Sequence, residues 1–212
     1  MTTVLVDYES GNLHSAEKAF QRMAAETGAG AVVVSNRPED VAAADRIVLP
    51  GDGAYPACRR ALLAQDGLHE AIVQAVTGRG VPFLGICIGM QMLADRGLEY
   101  ESTPGFGWIG GEVVRITPAD PALKVPHMGW NDLVIDRPHP VLAGIATGDH
   151  AYFVHSYHFR VVDPADLLAH ADYGGPITAI VGRGNVVGTQ FHPEKSQATG
   201  LRLIANFLRW RP

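Results

Sequence analysis

The chain has 212 residues, of which 47% are apolar and 18% charged, and its formal net charge is −5. This length suits one domain of ordinary size, the composition is that of compact globular proteins, and the acidic balance gives no reason to expect nucleic acid or an anionic membrane as a partner. No apolar run approaches the roughly 18 to 20 residues of a transmembrane helix, and no basic segment with a cleavage site indicates a signal peptide.

Apolar stretches alternate with helical patterns through the first half of the chain. The apolar segments are TVLVD, AVVVS, RIVL and VPFLGIC, which begin at residues 3, 31, 46 and 81. The helical patterns are LHSAEKAFQRMAAET, which ends at Gly28, a long one over residues 56–76, and IGMQMLADR directly after Cys87. Short strands separated by helices predict βαβ units and therefore a parallel sheet.

From about residue 112 onward, strand-like runs follow one another. They are EVVRI, DLVID, YFVHSYHFRVV, LLAHADY, ITAIVG and NVVGTQF, divided by Gly, Pro and Asp turns. We expect some of them to be antiparallel additions to the sheet. A last helix, LRLIANFLRW, has four apolar residues on one face, which should pack on the sheet: Leu201, Ile204, Ala205 and Leu208. With no repeat or linker, the sequence predicts one α/β domain over residues 1–212, with a mostly parallel central sheet, flanking helices and antiparallel additions in the C-terminal half.

Cys87 lies where a predicted strand runs into a predicted helix, in the stretch GICIG. Gly85 and Gly89 stand two residues away on either side, which is the spacing of the nucleophile elbow that α/β-hydrolases build around serine. That turn strains the nucleophile's backbone, leaves no room for a Cβ two residues away, and places the thiol at a helix N-terminus, which favours the thiolate. Alone, Cys87 is more often a buried core thiol. It and Cys58 are the only cysteines, which favours a reducing cytoplasm.

A second stretch with chemical content is FHPEK, near the C-terminus. The residue before a proline is pushed into an extended conformation, where residues i and i+2 project to the same side. We therefore expect Glu194 to hold one ring nitrogen of His192 while the other faces a thiol, as in a catalytic triad. A lone His-x-Glu triplet is usually a solvated turn, but together with the cysteine elbow it favours catalysis.

Two weaker patterns concern an oxyanion site and a metal site. Residues 50–53, PGDG, follow a strand, and their N–H groups can point into a cleft, although an ordinary glycine-rich turn is an equal interpretation. His155 and His158 are three residues apart, which on a strand puts them on opposite faces and argues against a metal pair. Without a nucleotide-binding fingerprint, the sequence predicts no cofactor and no metal.

In this order, PGDG, GICIGMQ and HPE resemble the motifs of class I (triad) glutamine amidotransferases, which have a flavodoxin-like α/β fold. DYESGNLHS, PHMGWN and YFVHSYH followed by GTQFHPEKSQ make the chain similar, nearly end to end, to the glutaminase subunits of imidazole glycerol phosphate synthases in histidine biosynthesis. The resemblance implies hydrolysis of L-glutamine to glutamate and ammonia through a cysteine thioester. It also implies a partner, a separate (β/α)₈-barrel cyclase that uses the ammonia to make imidazole glycerol phosphate and an aminoimidazole carboxamide ribonucleotide.

The resemblance assigns roles to residues at matching positions. The catalytic residues would be the nucleophile Cys87, the base His192 and its orienter Glu194. Four residues would form the oxyanion site: Gly51, Asp52, Gly53 and Ile88. Four would bind glutamine: Gln91, Glu99, Ser156 and Tyr157. Four would face the cyclase: Trp130, Asn131, Tyr152 and Lys195.

Two positions depart from the family pattern. Asp52 stands where a small apolar residue is usual, so its carboxylate must point away from a developing oxyanion. Glu9 stands where glycine is common, so a positive φ there would be strained.

Two other functions stay open on the sequence. One is the glutaminase subunit of another synthase, of the anthranilate or aminodeoxychorismate type, against which HMGWN and GNLHS argue. The other is a catalytically silent regulatory subunit, against which the complete triad argues. We expect weak activity of the isolated chain, because a glutaminase that leaked ammonia continuously would be wasteful.

Overall fold

The computed structural model describes residues 1–11 and 13–212; Asn12, in the turn predicted after the first strand, lies outside the described residues. The described α-helices are α1 (Leu13–Thr27), α2 (Pro38–Ala42), α3 (Tyr55–Ala64), α4 (Leu68–Val73), α5 (Ile88–Gln91) and α6 (Gln197–Arg209). The shorter helical turns are a π-turn after α4 (Gln74–Gly78) and 3₁₀ turns at Pro140–Leu142, Pro164–Asp166 and Pro193–Lys195. No helix among the described residues is long and apolar enough to cross a lipid bilayer.

The strands form one large sheet and two small ones. They are β1 (Thr2–Val6), β2 (Ala31–Ser35), β3 (Arg46–Leu49), β4 (Phe83–Ile86), β5 (Arg96–Gly97), β6 (Thr103–Pro104), β7 (Gly111–Arg115), β8 (His127–Asp132), β9 (Val134–Ile135), β10 (His150–His155), β11 (Tyr157–Val161), β12 (Leu167–Asp172), β13 (Pro176–Arg183) and β14 (Val186–Thr189). The large sheet has the order β2-β1-β3-β4-β14-β13-β12-β9. Its first five strands are parallel and its last three are antiparallel additions. The predicted fold class is confirmed.

The centre of the large sheet is buried on both faces. Every residue of β3 and of β4 is buried, as expected for parallel strands that helices cover on both sides. This explains why these strands read as continuous apolar runs rather than as alternating ones. Because ligand sites in open α/β sheets lie beyond the carboxyl ends of the strands, the ends of β3, β4 and β14 are where a site is expected.

Not all of the later strands join the large sheet. β8 pairs with β10, while β11 belongs to a four-stranded sheet with the order β11-β7-β5-β6. The run YFVHSYHFRVV therefore divides at Ser156 into two strands with different partners. The sequence did not predict this division, because alternation of apolar residues does not reveal which strand pairs with which.

Two predicted helices are shorter than expected. The pattern over residues 56–76 is interrupted between α3 and α4, where Gln65 is extended and Gly67 adopts a left-handed φ of 72°. The pattern after Cys87 stops at Gln91, so that α5 is a single turn. Beyond it, the carbonyl groups of Met92, Leu93 and Ala94 accept hydrogen bonds from backbone N–H groups of residues 106–109, which replace helical partners.

The last helix lies beside α1 and buries an apolar face in the core that it shares with the sheet. Its fully buried residues are Gly200, Leu203, Ile204, Phe207 and Leu208. Leu201 and Ala205, which the sequence placed on the buried face, are only partly buried against the core. The buried face is therefore rotated from the predicted one, towards Gly200, Leu203 and Phe207.

Candidate active site

Cys87 occupies a strained elbow between β4 and α5. Its backbone has φ 56° and ψ −110°, a conformation that residues other than glycine rarely adopt. The Cys87 N–H donates a 2.7 Å hydrogen bond to the carbonyl oxygen of Thr189, at the end of β14. The strain is thus held by a tie between two adjacent parallel strands, and α5 contributes the N–H groups of only one helical turn beside the thiol.

The glycines on either side of Cys87 are required by close backbone approaches. A Cβ at Gly89 would overlap the carbonyl oxygen of Leu49, and a Cβ at Gly85 would overlap the backbone of Gly89. Gly51 is similarly confined, with the Tyr8 hydroxyl 2.7 Å and the Ile88 Cβ 2.8 Å from an added Cβ. These contacts hold the ends of β3, β4 and α5 together.

His192 and Glu194 form a buried pair just after β14. His192 Nδ1 lies 2.9 Å from Glu194 Oε1, and the Glu194 side chain is 3% exposed. His192 is extended, with φ −91° and ψ 102°, but Pro193–Lys195 forms a 3₁₀ turn rather than the extended chain expected from the sequence. The carboxylate therefore reaches the ring from a turn that Pro193 begins, because its fixed φ suits the first position of a helical turn.

The ring of His192 is held near Cys87 and Glu194. Burial by itself lowers the pKa of His192, but the interactions with Cys87 and with the Glu194 carboxylate outweigh it and raise the pKa above the usual value. The Nε2 atom is buried and makes no hydrogen bond with the described residues. With Nδ1 on Glu194, Nε2 is the nitrogen left to exchange a proton with a thiol or a substrate.

Cys87 opens onto a cavity of about 230 Å³. Eight of the residues that the resemblance singles out line it: Asp52, Gly53, Cys87, Ile88, Gln91, Glu99, Ser156 and Tyr157. Pro126, Val154 and His155 complete the lining. The volume lies below the roughly 300 to 1,000 Å³ of pockets for drug-sized ligands, which suits a ligand the size of an amino acid.

The polar groups of the cavity are already oriented. Glu99 Oε2 accepts a 2.7 Å hydrogen bond from the backbone N–H of Tyr55. Gln91 Nε2 donates to the carbonyl oxygen of Tyr157 and to Gln190 Oε1, both at 3.0 Å, while Gln91 Oε1 is buried and has no hydrogen-bond partner among the described residues. The cavity thus combines a fixed carboxylate with a buried acceptor.

Gln190 is a residue of the site that the sequence analysis missed. It is fully buried, and its Nε2 lies 3.7 Å from Cys87 Sγ. A signal was present, since an amide inside the apolar run NVVGTQF must find buried hydrogen-bond partners. The sequence did not reveal that those partners would be Gln91 and Cys87.

The PGDG stretch follows β3 and is held by three side chains. Tyr8 OH donates to the Pro50 carbonyl oxygen at 2.7 Å, while Ser10 Oγ and Cys58 Sγ donate to the Asp52 carbonyl oxygen at 3.0 and 3.2 Å. The Asp52 N–H is directed to Ser10 Oγ at 3.4 Å. It is therefore turned towards Ser10 in this structure. Glu9, next to Ser10 in the turn after β1, has a positive φ of 64°, the conformation that the sequence analysis described as strained for a residue other than glycine.

The residues assigned to a partner surface lie on β8, on β10 and after His192. Trp130 and Tyr152 are opposite each other in the β8–β10 pair, with ring centroids 5.9 Å apart. Trp130 is 48% exposed. The Tyr152 carbonyl oxygen accepts from the His192 N–H at 3.1 Å, which ties this surface to the His192 segment. Lys195 is half-buried at the end of the 3₁₀ turn, and Asn131 is half-buried on β8.

Within the described ranges, no group of three or more His, Cys, Asp or Glu side chains is arranged to hold a metal ion. His155 does not pair with His158. Its Nε2 instead lies 2.9 Å from Nδ1 of His127, on the adjacent strand.

Residues 4–210 match the family Glutamine amidotransferase class-I. The chain is 79% identical to Imidazole glycerol phosphate synthase subunit HisH of Cereibacter sphaeroides, over 100% of both chains. It is 68% identical to the protein of that name from Ruegeria pomeroyi and 61% identical to that from Rhodospirillum rubrum, again over 100% of both chains.

Solved structures share the fold at much lower identity. A crystal structure of a glutamine amidotransferase superposes with a TM-score of 0.73 at 21% identity, covering 97% of each chain. The glutaminase domain of Trypanosoma brucei CTPS, with bound acivicin, gives a TM-score of 0.65 at 15% identity, covering 100% of this chain and 95% of that one.

Proposed function

This chain belongs to the class-I glutamine amidotransferase family, and we propose that it is the glutaminase subunit of an imidazole glycerol phosphate synthase in histidine biosynthesis. In this proposal one domain, residues 1–212, hydrolyses L-glutamine in the cytoplasm and needs no cofactor or metal. The observation that carries it is the position of Cys87, on a strained elbow at the cavity and beside the buried pair of His192 and Glu194.

In the first half of the reaction, the Cys87 thiolate attacks the side-chain amide carbon of glutamine. This thiolate forms when the Cys87 thiol gives its proton to His192 Nε2, and Glu194 stabilises the resulting imidazolium through Nδ1. His192 then gives the proton to the leaving nitrogen, the C–N bond breaks, and ammonia departs from a glutamyl thioester.

In the second half, His192 Nε2 takes a proton from a water molecule, which attacks the thioester carbon. The C–S bond breaks, Cys87 regains its proton from His192, and glutamate is released. Glutamine and water are thus converted into glutamate and ammonia, and the chain returns to its starting state.

Binding of glutamine uses the polar groups of the cavity. The Glu99 carboxylate faces the substrate ammonium group, because opposite charges attract most strongly in a buried site. The Gln91 amide, the bend at Ser156 and the backbone of Tyr157 orient the rest of the molecule. This places the amide carbon, rather than the α-carboxyl group, next to Cys87.

Stabilisation of the oxyanion requires backbone N–H groups that point at the oxygen of the amide under attack, where the negative charge develops. The amide of Ile88 and the Gly51–Gly53 stretch supply them in this proposal. The Asp52 N–H can contribute only after it leaves Ser10 Oγ, so the isolated chain is expected to be a weak glutaminase. A partner that binds next to this stretch can favour the reoriented form.

The partner we propose is the cyclase subunit, a (β/α)₈ barrel that consumes ammonia. Ammonia that escaped into water would be protonated and lost, so direct delivery favours a tight complex. The exposed Trp130 with Tyr152, together with Asn131 and Lys195, forms the surface assigned to this partner, and it is tied to the catalytic segment by the hydrogen bond between His192 and Tyr152.

The first test is replacement of the nucleophile, Cys87→Ala. We expect glutamate release from glutamine to fall at least about a thousand-fold, since removal of a covalent nucleophile eliminates the thioester route. Release is measured for the chain alone and with the cyclase subunit of the same organism and its nucleotide substrate, which should stimulate the wild type strongly.

Cys58→Ser is the matched control, because it also removes a buried thiol but leaves the elbow intact and keeps a hydroxyl donor for the Asp52 carbonyl oxygen. It should keep activity within about tenfold of the wild type. Retained activity in Cys87→Ala contradicts the assigned nucleophile, and a wild type that the cyclase does not stimulate contradicts the proposed partner.

A further inference from the structure

Two buried histidines outside the proposed triad face each other across β8 and β10. His127 and His155 are directly opposite in the strand register, and their exposed fractions are 2% and 6%. Burial lowers the pKa of His127 to about 4 and, together with nearby histidines, that of His155 to about 3. Both rings are therefore neutral near pH 7, and each then carries one donor nitrogen and one acceptor nitrogen.

Their hydrogen-bond partners determine which nitrogen of each ring carries the hydrogen. His155 Nδ1 lies 2.8 Å from the Tyr157 carbonyl oxygen, which can only accept, so Nδ1 donates. His155 Nε2 must then accept, and its neighbour at 2.9 Å, His127 Nδ1, donates to it. His127 Nε2 in turn accepts from Asn131 Nδ2 at 3.2 Å. All the donors in this series of hydrogen bonds point in one direction, from Asn131 towards Tyr157.

Both ends of this series of hydrogen bonds are fixed. At one end, Asn131 Nδ2 also donates to the Asp172 carbonyl oxygen at 2.9 Å, and Asn131 Oδ1 accepts from the Asp132 N–H at 2.8 Å. Between the ends, the His127 ring is flanked by the rings of Phe153 and Tyr173, with centroids 4.7 and 4.1 Å away. The ring therefore has little freedom to rotate.

The other end of the chain reaches the nucleophile. The Tyr157 carbonyl oxygen accepts from Gln91 Nε2 as well as from His155, and Gln91 Nε2 also donates to Gln190 Oε1. Gln190 Nε2 lies 3.7 Å from Cys87 Sγ. A continuous series of hydrogen bonds thus links Asn131 to the thiol, and each donor and acceptor along it has one consistent assignment.

We propose that His127 and His155 are positioning residues for the glutamine pocket, which hold the Tyr157 carbonyl group and, through it, the Gln91 amide in the orientation that binds substrate. Asn131, which the proposed function places at the cyclase surface, is coupled to the pocket through the two rings. This inference rests on the proposed function and deepens it.

The physical basis is the demand of buried polar groups for partners. Without the His155 N–H, the Tyr157 carbonyl oxygen accepts one hydrogen bond fewer. The bend at Ser156 is then less restrained, so the wall of the cavity can shift. The Gln91 side chain is then free to change its rotamer. Because neither histidine touches the reacting atoms, the expected effect is on substrate binding rather than on the chemical step.

The test measures KM and kcat for glutamine in the complex with the cyclase subunit. His155→Phe, which removes both ring nitrogens and keeps a planar ring, should raise KM about tenfold and change kcat less than about threefold. His155→Gln, which keeps an N–H donor and an acceptor, should recover at least half of that loss and serves as the second variant if the phenylalanine variant does not fold. His170→Phe, on β12 and paired with Asp136, is the matched control and should leave KM unchanged.

A double-mutant cycle tests the coupling to Asn131. Asn131→Ala should raise KM about threefold in the wild-type background but not in the His155→Phe background, because the series of hydrogen bonds is already interrupted at residue 155 there. Additive effects overturn the coupling, and an unchanged KM in folded His155→Phe overturns the positioning role. Failure of the proposed function is distinguishable from both, since the wild-type complex would then release no glutamate.

Discussion

The parallel half of the molecule and the small sheets contribute to the site in different ways. In the parallel half, β3, β4 and β14 are neighbours, and each delivers its group within four residues of its end: the stretch at residues 50–53, then Cys87, then His192. In the small sheets, the contributing groups are Ser156, Tyr157 and the His127–His155 pair. They meet only because β8 pairs with β10 and β7 with β11.

The two regions therefore differ in how far their geometry depends on residues that are close together in the sequence. The elbow at Cys87 depends on two glycines and a strand, whereas the wall of the cavity depends on long-range pairing and on buried hydrogen bonds. A change in the parallel half should therefore affect catalysis or folding abruptly. A change in the small sheets should alter binding or pH dependence by smaller amounts.

The largest effect is expected at the parallel half, from Glu194→Gln. The amide keeps the shape of the side chain but no longer stabilises an imidazolium at His192, so kcat should fall about a thousand-fold while KM changes little. Steady-state glutaminase kinetics in the complex measure this. Glu26→Gln, in an exposed pair with Arg22 on α1, is the control and should stay within about twofold. A fall of less than tenfold in Glu194→Gln would show that His192 needs no carboxylate.

The second effect concerns stability, from Gly89→Ala. The added Cβ would overlap the Leu49 carbonyl oxygen, so the free energy of unfolding should fall by about 3 kcal/mol, or roughly 6 to 12 °C in Tm. Gly110→Ala, just before β7, is the matched control, because a Cβ there meets nothing within 4 Å. It should change the free energy of unfolding by less than about 0.5 kcal/mol. An equal decrease in the free energy of unfolding for Gly89→Ala and Gly110→Ala would contradict the idea that the close backbone approach at Gly89 requires glycine.

The smallest effect is the acid sensitivity of the buried histidine pair. Unfolded histidine titrates near pH 6.5, whereas the folded values are about 4 for His127 and about 3 for His155. Between these values the unfolded chain binds more protons, so the free energy of unfolding decreases as pH falls below about 6.5. The pair should account for about 2 kcal/mol of loss between pH 7 and pH 5.5.

Urea unfolding at the two pH values measures this loss. His155→Gln removes one titrating group, so its loss of free energy of unfolding between the two pH values should be about 1 kcal/mol smaller than that of the wild type. His150→Gln, an exposed histidine on the same strand, should leave the slope as it is. If His155→Gln leaves the slope unchanged, the buried ring is not the source of the acid sensitivity.

The parallel half of the site could be predicted from the sequence to a greater extent than the part that the small sheets contribute. The strand–Cys87–helix junction and the extended His192 could be expected from a few neighbouring residues, because proline restricts the residue before it and glycine permits close backbone approaches. At Glu9, only the comparison with the family pattern drew attention to a positive φ. Gln190 and the His127–His155 pair could not, since their roles appear only when strands distant in sequence are brought together. The helix after Cys87 was predicted too long because tertiary hydrogen bonds to residues 106–109 compete with helical ones.

The sequence by itself determined the fold class, the elbow at Cys87 and the family to which the chain belongs, because apolar periodicity and short motifs are properties of contiguous residues. Only the tertiary structure decided the division of the later strands among three sheets, the buried face of α6, the direction of the Asp52 N–H and the series of hydrogen bonds from Asn131 to Cys87. Those features depend on which distant groups satisfy one another's buried donors and acceptors, and a single sequence does not state that pairing.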